Sequence, residues 1–296
     1  MFRSLTFCFC LLLAAPTAFA SHEAHPPTRV TILVDAFSRN PRLRKDWGFA
    51  AFIEYQGKRI LFDTGNNAEI FAANARNLNV DLARLDFAVI SHRHGDHTDG
   101  LRHLLKLNPR VKIFAPADEY FGGSTPQVFF HRSNPSLPTE MRYFDGQVPN
   151  EVPHGTPWPN ANFVRVDTAL EVMPGIVLVA NVSPGPRFTE TPELSLALST
   201  AKGQLLLVGC SHPGIEQILS SIKAREKPVR LVMGGLHLVT TTDAEVDRLA
   251  IALRDEWKLG SVAPGHCTGE YAFATLSKVF GPDYTYAGVG SVVRVP

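Results

Sequence analysis

The sequence predicts an α/β protein folded as a four-layer α/β/β/α sandwich, in which two sheets pack together and helices cover the outer faces. Short strand-like runs followed by helix-like runs occur in the first half of the chain and again in the second. No break rich in linker residues separates the halves, and 296 residues, 45% of them hydrophobic, suffice for one large core. A doubly wound sheet is the alternative, but the several strands at hairpin spacing fit it poorly.

In the first half, strands are marked by short runs rich in β-branched and aromatic residues, and helices by apolar residues three and four apart. The predicted strands are Val30–Val34, Gly48–Tyr55, Arg59–Phe62, Phe87–Ile90 and Val111–Ala115, and the predicted helices are Ala68–Leu78 and Leu101–Leu107. Tyr55 to Lys58 predicts a hairpin turn. The wholly apolar run Phe87–Ile90 predicts a strand that is covered on both faces.

The second half repeats these patterns. The predicted strands are Phe163–Val166, Ile176–Asn181, Leu194–Leu198, Gln204–Val208, Val229–Met233 and Ser261–Ala263, with Tyr284–Tyr286 and Ser291–Val295 closing the chain. The predicted helices are Ile215–Lys223, Ala244–Trp257 and Tyr271–Val279. This alternation supplies the strands of a second sheet and the helices that cover it.

The segment from Pro116 to Pro159 interrupts the pattern. It holds 8 of the 22 prolines and few aliphatic runs, together with seven aromatic residues. A long segment without regular elements is usually functional, and the aromatic residues argue against a solvated linker. We therefore expect a substrate-side lid at residues 116–159, with a plain surface excursion as the alternative.

The amino terminus has the pattern of a signal peptide. Arg3 precedes an apolar run from Leu5 to Ala15, and Ala18-Phe19-Ala20 forms a small-x-small cleavage site before Ser21. A buried N-terminal strand is the alternative, but this order of charge, apolar run and small residues favours export to the periplasm or the extracellular space. The predicted division is a signal peptide at residues 1–20, a flexible lead-in at 21–29 and one domain at 30–296.

The charge balance excludes some classes of partner. The chain has 29 Lys+Arg and 28 Asp+Glu, so its formal net charge of +1 gives no electrostatic attraction to nucleic acid. We therefore expect no nucleic-acid partner. No stretch after residue 20 reaches the roughly 18 apolar residues of a membrane span, so we expect no stable membrane association after cleavage. The expected partner is a small-molecule substrate, and the sequence leaves the oligomeric state open.

Chemistry is concentrated in the segment Ser91-His92-Arg93-His94-Gly95-Asp96-His97-Thr98, which follows a predicted buried strand. Residues two apart in an extended loop point the same way, so His92 and His94 can bind one metal ion. Gly95 permits the chain to turn, after which Asp96 and His97 can face a second ion. Imidazole and carboxylate ligands together suit zinc, and also iron or manganese. A polar loop with solvated histidines is the alternative.

Further ligands are expected at the ends of later strands, because strand ends present side chains from a rigid scaffold. Three histidines directly follow apolar strands: His212, His237 and His266. We expect His212 and His266 to be metal ligands and His237 to be a pocket residue. The predicted cofactor is thus one or two divalent ions, with zinc expected.

These motifs resemble the metallo-β-lactamase superfamily, in which His-x-His-x-Asp-His follows a strand and is preceded by a motif like Leu61-Phe62-Asp63-Thr64-Gly65. The match extends from about residue 30 to the C-terminus. The remaining motifs resemble the branch named after 7,8-dihydropterin-6-methyl-4-(β-D-ribofuranosyl)aminobenzene-5'-phosphate synthase. They are Asn74-Ala75-Arg76 with Val80-Asp81-Leu82, Gly-Cys-Ser-His-Pro-Gly-Ile at 209–215, Gly-Gly-Leu-His-Leu at 234–238 and His-Cys-Thr-Gly at 266–269. The resemblance implies the metallo-β-lactamase fold and a bound metal.

The chain departs from most hydrolases of the superfamily at two places. Their third His is missing from the corresponding stretch, 181–186, and the resemblance implies that His212 replaces it. Their metal-bridging Asp is also missing, because the corresponding place reads Gly209-Cys210-Ser211-His212. The number of filled metal positions therefore stays open.

Four neighbouring residues have supporting or structural interpretations. Asp63 either orients the metal-binding loop as a hydrogen-bond acceptor or caps the next turn. Glu193 could reach the site, but it is expected to be a solvated loop carboxylate. Cys210 and Cys267 are expected to be buried and unpaired. Since adjacent residues at a strand end point oppositely, Cys267 should face away from the metal and Cys210 toward it, which would put the two thiols on different faces of the site.

The sequence supports three functional hypotheses. The first is a hydrolase that uses metal-activated water on an ester, lactone, amide or phosphoester, with Asp96 orienting the water and His237 stabilising the oxyanion. The second is a transferase that condenses a pterin methyl diphosphate with an aminobenzene, as the branch resemblance implies; it ranks below hydrolysis because an exported protein would rarely meet such intermediates. The third is a non-catalytic metal-binding module, which the intact His-x-His-x-Asp-His motif disfavours.

Overall fold

A computed structural model describes residues 27–121, 134–150, 158, 160–185, 190–222 and 227–295. Within them, thirteen strands form two sheets. The first sheet contains, in spatial order, β13 (Val292–Val295), β1 (Thr28–Val34), β2 (Ala50–Tyr55), β3 (Lys58–Phe62), β4 (Phe87–Val89), β5 (Lys112–Pro116) and β6 (Asn162–Val166). The second contains β12 (Ser261–Gly265), β11 (Val229–Gly235), β10 (Gly203–Val208), β9 (Pro192–Thr200), β8 (Ile176–Val182) and β7 (Leu170–Met173).

Six helices are described, and all but the four-residue one lie on the outer faces of the two sheets. They are α1 (Ala68–Asn77), α2 (Gly95–Thr98), α3 (Leu101–Leu107), α4 (Ile215–Ile222), α5 (Asp243–Asp255) and α6 (Glu270–Phe280). One apolar cluster joins the two sheets and includes Ile53, Phe62 and Leu207. A second lies between the first sheet and α1 and α3, and a third between the other sheet and α4 to α6. Three apolar layers separate four layers of structure, which confirms the α/β/β/α sandwich.

Local chemistry accounts for the element boundaries. Asn67 caps α1, because its side chain accepts hydrogen bonds from the backbone N–H groups of Glu69 and Ile70. The predicted hairpin between β2 and β3 is confirmed: Gln56 and Gly57 both have positive φ angles, the combination that suits the twist of a two-residue hairpin. All residues of β4 are buried, as expected for a strand covered on both faces.

Three features differ from the sequence-based expectations. The strand β7 was not predicted, since its mixed sequence Leu-Glu-Val-Met has no clear alternation. Residues 284–286 form no named strand, and Tyr284 makes an isolated bridge to Val262. Two strands of the second half belong to the first sheet: β6 pairs with β5, and the last strand, β13, pairs with β1 because the chain returns across the sandwich after α6.

The signal peptide lies outside the described residues, as does most of the flexible lead-in, and both stay predictions. The lid expected at 116–159 is described in part. Its ends pack on the first sheet through an aromatic cluster in which the rings of Phe121 and Trp158 lie near Phe163. Short 3-10 helices occur at Thr139–Met141 and Tyr143–Gly146. Among the described residues, no helix is long and apolar enough to cross a membrane.

The topology brings several chain segments to one edge of the sandwich. The strands β3 to β6 run parallel in the first sheet, and β10 to β12 run parallel in the second. Parallel strands have their carboxyl ends at the same edge, where α/β proteins bind ligands. The histidine-containing segments after β4, β10, β11 and β12 therefore meet there.

Candidate metal centre

The first group of ligand candidates consists of His92, His94 and His212. His92 Nε2 lies 3.1 Å from His94 Nδ1. The ring of His212 comes from the loop after β10, and its centroid lies 4.6 Å from that of His92 and 4.8 Å from that of His94. Three imidazoles from two sheets thus surround one point.

The second group consists of Asp96, His97 and His266. His97 Nε2 lies 3.3 Å from His266 Nε2, and Asp96 Oδ2 lies 3.3 Å from His266 Nε2 and 3.7 Å from His97 Nε2. The ring of His92 joins the two groups, because its centroid is 4.2 Å from that of His97. The structure therefore brings all six predicted ligands together, in two adjacent groups.

His237 lies at the border of the cluster, as a pocket residue should. It follows β11 in a left-handed conformation, with φ of 52°, and its exposed ring is centred 4.5 Å from that of His212. A hydrogen bond with Cys267 raises its pKa, although burial acts in the opposite direction. The ring therefore borders the open space above the first group.

Asp63 orients the metal-binding loop, as one of its two interpretations predicted. One carboxylate oxygen accepts from the backbone N–H of Ser91 at 2.7 Å, and the other accepts from Ser91 Oγ and from His97 Nδ1, each also at 2.7 Å. Asp63 is fully buried, and burial raises its pKa although these donors oppose the shift. The aspartate consequently fixes the side chain of His97.

The expectation that Glu193 is a solvated loop carboxylate was wrong. The side chain is 1% exposed, and its two oxygens accept from the backbone N–H groups of Cys210, Ser211 and His212 at 2.8–3.0 Å and from His212 Nδ1 at 3.0 Å. The reason is the pairing of β9 with β10, which places Glu193 against the loop that follows β10. The available signal was that Glu193 is the one charged residue of β9.

Asp35 was missed by the sequence reasoning. It is fully buried at the end of β1, and its Oδ2 accepts from the backbone N–H of His266 at 3.0 Å. Burial raises its pKa to about 7, against the hydrogen bond and charge of His266. The rule that strand ends present functional side chains, already applied to the histidines, would have identified it.

The electrostatics favour neutral imidazoles at two residues of the first group, His92 and His94. Burial lowers the pKa of His92 well below its usual value, and neighbouring histidines add to this effect. Burial, with the charge of His212, lowers the pKa of His94 to about 4. In the second group, burial alone would raise the pKa of Asp96 and lower that of His266, but their mutual hydrogen bond reverses both shifts, and the pKa of His266 rises to about 10.

The donor set fits a divalent metal. Ser91 Oγ donates to Asp63 and therefore accepts from His92 Nδ1, which lies 2.8 Å away. His97 and His212 likewise donate from Nδ1 to carboxylates. All three rings therefore leave Nε2 free of these hydrogen bonds, and a neutral imidazole with Nδ1 protonated can offer the lone pair of Nε2 to a divalent cation. His266 Nδ1 is buried with no hydrogen-bond partner, which also marks an incompletely satisfied site.

The two cysteines agree with the sequence-based expectation in one respect and not in the other. Both are free and buried, as predicted. They do not lie on different faces of the site, because Cys210 Sγ, Cys267 Sγ and a ring nitrogen of His237 all lie within 4.8 Å of one another. Strand alternation does not extend to Cys267, because β12 ends at Gly265 and residues 266–268 form a 3-10 turn in which consecutive side chains do not alternate.

The cluster forms the floor of an open cavity of about 580 Å³, a size that suits a small-molecule ligand. The walls include Trp47, whose ring is centred 4.9 Å from that of His266, and Arg93, which forms a 2.7 Å ion pair with Asp118. The remaining wall residues are Ser183, Pro184 and Thr191. No described residue of the predicted lid lines this cavity; Asp118, at its start, acts through Arg93.

Comparisons with known proteins agree with this geometry. A family model, the beta-lactamase superfamily domain, matches residues 58–142. The chain is 28% identical to 7,8-dihydropterin-6-methyl-4-(β-D-ribofuranosyl)-aminobenzene-5'-phosphate synthase of Methanocaldococcus jannaschii, over 89% of this chain and 95% of the relative. This similarity bears out the resemblance to that branch.

Solved structures show the same fold. The crystal structure of a metal-dependent hydrolase of the beta-lactamase superfamily superposes with a TM-score of 0.70 at 24% identity, covering 90% of this chain and 99% of that one. Human tRNase Z, short form, superposes with a TM-score of 0.52 at 17% identity, with the same coverage. The family model, the curated relative and the shared sandwich thus all show similarity between this chain and proteins of the metallo-β-lactamase superfamily.

Proposed function

We propose that the protein is an exported metal-dependent hydrolase that acts on an ester, lactone, amide or phosphoester of a small molecule. The observation that carries the proposal is the arrangement of His92, His94 and His212 beside Asp96, His97 and His266 at the floor of an open cavity. Proteins of the superfamily are often metal-dependent hydrolases, and one of them shares this fold.

The residues of the chain divide the work of such a reaction. A divalent ion in the centre would act as a Lewis acid and lower the pKa of water toward about 7, so that hydroxide is available near neutral pH. Asp96 lines the cavity beside the ligands and is placed to orient the attacking water. His237 lines the same cavity at its open side and is placed to hydrogen-bond the oxyanion that develops. Trp47 and Arg93 bound the space left for the substrate.

A transferase is the second candidate, because the curated relative that the chain matches along most of its length is a synthase. The two candidates require different products. Hydrolysis consumes one substrate and water, whereas condensation joins a pterin methyl diphosphate to an aminobenzene and releases diphosphate. The predicted signal peptide favours hydrolysis, since an exported protein would rarely meet such intermediates.

The test is elemental analysis of the purified mature protein followed by product analysis. Phosphoester, lactone and β-lactam substrates are incubated with the metal-loaded and the chelator-treated enzyme, and a parallel reaction contains the two pterin-pathway reactants. Metal-dependent cleavage of one panel member supports the hydrolase. Diphosphate release together with a condensed product favours the transferase. A protein that binds metal but turns over neither set would leave the non-catalytic metal-binding module.

A further inference from the structure

Arg93 is the single Lys or Arg among the described residues that line the cavity. It lies in the chain between His92 and His94 and borders the cavity together with His94. Asp96 is the one carboxylate among the same described residues. Because a divalent ion bound beside Asp96 would more than balance its charge, the metal-loaded cavity carries an excess of positive charge. Such a cavity favours an anionic ligand.

The guanidinium of Arg93 is held in place by the start of the predicted lid. Its Nη1 donates to Asp118 Oδ2 at 2.7 Å, and the two side chains are 10% and 2% exposed. The other carboxylate oxygen of Asp118 accepts from the backbone N–H of Tyr120 at 2.8 Å, and the ring centroid of Tyr120 lies 5.6 Å from the Cζ atom of Arg93. A side chain that is fixed in this way loses little conformational entropy when it binds a ligand.

A second guanidinium lies near the same carboxylate. Arg165, on β6, donates to the carbonyl oxygens of Pro116 and Phe121, each at 3.3 Å, and its guanidinium lies over the ring of Phe121. Burial lowers the pKa of Arg165, and the charge of Asp118 opposes this shift. One carboxylate thus acts on two cations, so the ion pair at the cavity wall does not neutralise the positive charge completely.

The guanidinium of Arg93 also has further hydrogen-bond donors. It carries five N–H groups in a planar fork, and among the described residues its one hydrogen-bond partner is Asp118. Carboxylate and phosphate groups match this fork, because two of their oxygens can accept two parallel hydrogen bonds. Arg93 can therefore keep its bond to Asp118 and still bind an anion from the cavity.

We infer that Arg93 selects an anionic substrate, by binding a carboxylate or phosphate group that lies apart from the bond to be hydrolysed. This inference rests on the metal-dependent hydrolase proposed above, and it narrows the substrates to those that carry such a group in addition to the scissile bond. Asp118 is the positioning residue, since it holds the guanidinium at the wall of the cavity.

The test measures ligand binding to the metal-loaded protein by isothermal titration calorimetry. Butyrate offers one carboxylate, which the metal itself can bind. The dicarboxylates from malonate to adipate add a second carboxylate at increasing distance, and 3-phosphonopropionate carries a phosphonate in its place. We expect at least one of these bifunctional anions to bind the wild-type protein about 10- to 100-fold more tightly than butyrate, the gain expected from a charge-assisted hydrogen bond. Tightest binding of the phosphonate assigns a phosphate group to the substrate, and tightest binding of a dicarboxylate assigns a carboxylate.

Two variants separate Arg93 from the metal as the source of this gain. Arg93→Gln keeps an N–H donor for Asp118 but removes the charge. The double variant Arg93→Met/Asp118→Asn removes both charges, so that no buried carboxylate is left unpaired. Both variants should bind the bifunctional anions about as weakly as butyrate. Arg102→Met is the matched control, because this exposed arginine pairs with Asp99 and lines a different cavity; it should keep the full gain.

Circular dichroism and metal content identify the variants that are folded and loaded. A gain that survives in a folded, loaded variant without the Arg93 guanidinium would overturn the inference. A wild-type protein that binds metal, but no bifunctional anion more tightly than butyrate, would also overturn it. Failure of the wild-type protein to bind any divalent metal would instead overturn the proposed function, and the inference with it.

Discussion

The variant Glu193→Gln keeps the size of the side chain that holds the His212 loop but removes its charge. In the wild-type protein, Oε1 accepts from the backbone N–H groups of Cys210 and Ser211, and Oε2 accepts from the backbone N–H and Nδ1 of His212. An amide offers one oxygen and one NH2 group, so one of these positions must hold a donor that faces other donors.

The two orientations of the amide differ in cost. With NH2 in the Oε1 position, two buried N–H groups lose their acceptor, at about 1–3 kcal/mol each. With NH2 in the Oε2 position, only one backbone N–H is lost, because His212 can accept at Nδ1 by moving its proton to Nε2. We expect this cheaper orientation. This orientation lowers the free energy of unfolding by about 1–3 kcal/mol. Because the proton of His212 then lies on Nε2, this atom loses the lone pair with which His212 would bind a metal.

The expected result is a folded variant whose metal affinity is about 10- to 100-fold lower than that of the wild-type protein. The measurements are chelator competition for metal affinity and urea unfolding of the metal-free protein for stability. Glu245→Gln is the control, because this exposed glutamate on α5 pairs with Arg248 far from the centre and should leave metal affinity unchanged. If Glu193→Gln binds metal as tightly as the wild-type protein, the carboxylate does not set the tautomer of His212.

The remaining predictions concern the metal ligands, the leader and the thiols. His94→Ala should lower metal content, measured by elemental analysis, and abolish turnover, with little change in the circular dichroism spectrum. The control variant His103→Ala, on α3, should keep both metal content and turnover. Full metal content and activity in His94→Ala would exclude His94 as a ligand. Mass spectrometry of native protein recovered outside the cytoplasm should give Ser21 as the first residue, and an intact initiator methionine in cytosolic protein would argue against export and for the transferase. Thiol titration of denatured, unreduced mature protein should find two free thiols, those of Cys210 and Cys267. A peptide in which Cys210 and Cys267 are joined by a disulfide would contradict the prediction that they are unpaired.

Much of the centre follows from local sequence because it depends on local geometry. His92, His94, Asp96 and His97 lie within six residues, and their directions are determined by an extended segment followed by one helical turn. The apolar runs likewise predict most strands and helices, because burial on one or both faces imposes a period on the residues of each element. The positions of His212, His237 and His266 after apolar strands belong to the same kind of local signal.

The tertiary structure decided the features that depend on which strands become neighbours. Glu193 and Asp35 look like ordinary carboxylates in the sequence, and they become buried acceptors because β9 pairs with β10 and the end of β1 meets the turn after β12. The thiol of Cys267 turns toward Cys210 because a 3-10 turn ends the strand alternation. The sulfur of Cys210 lies between two histidine groups that come from both sheets. Local periodicity cannot specify such contacts, since they arise when segments far apart in sequence pack at one edge of the sandwich.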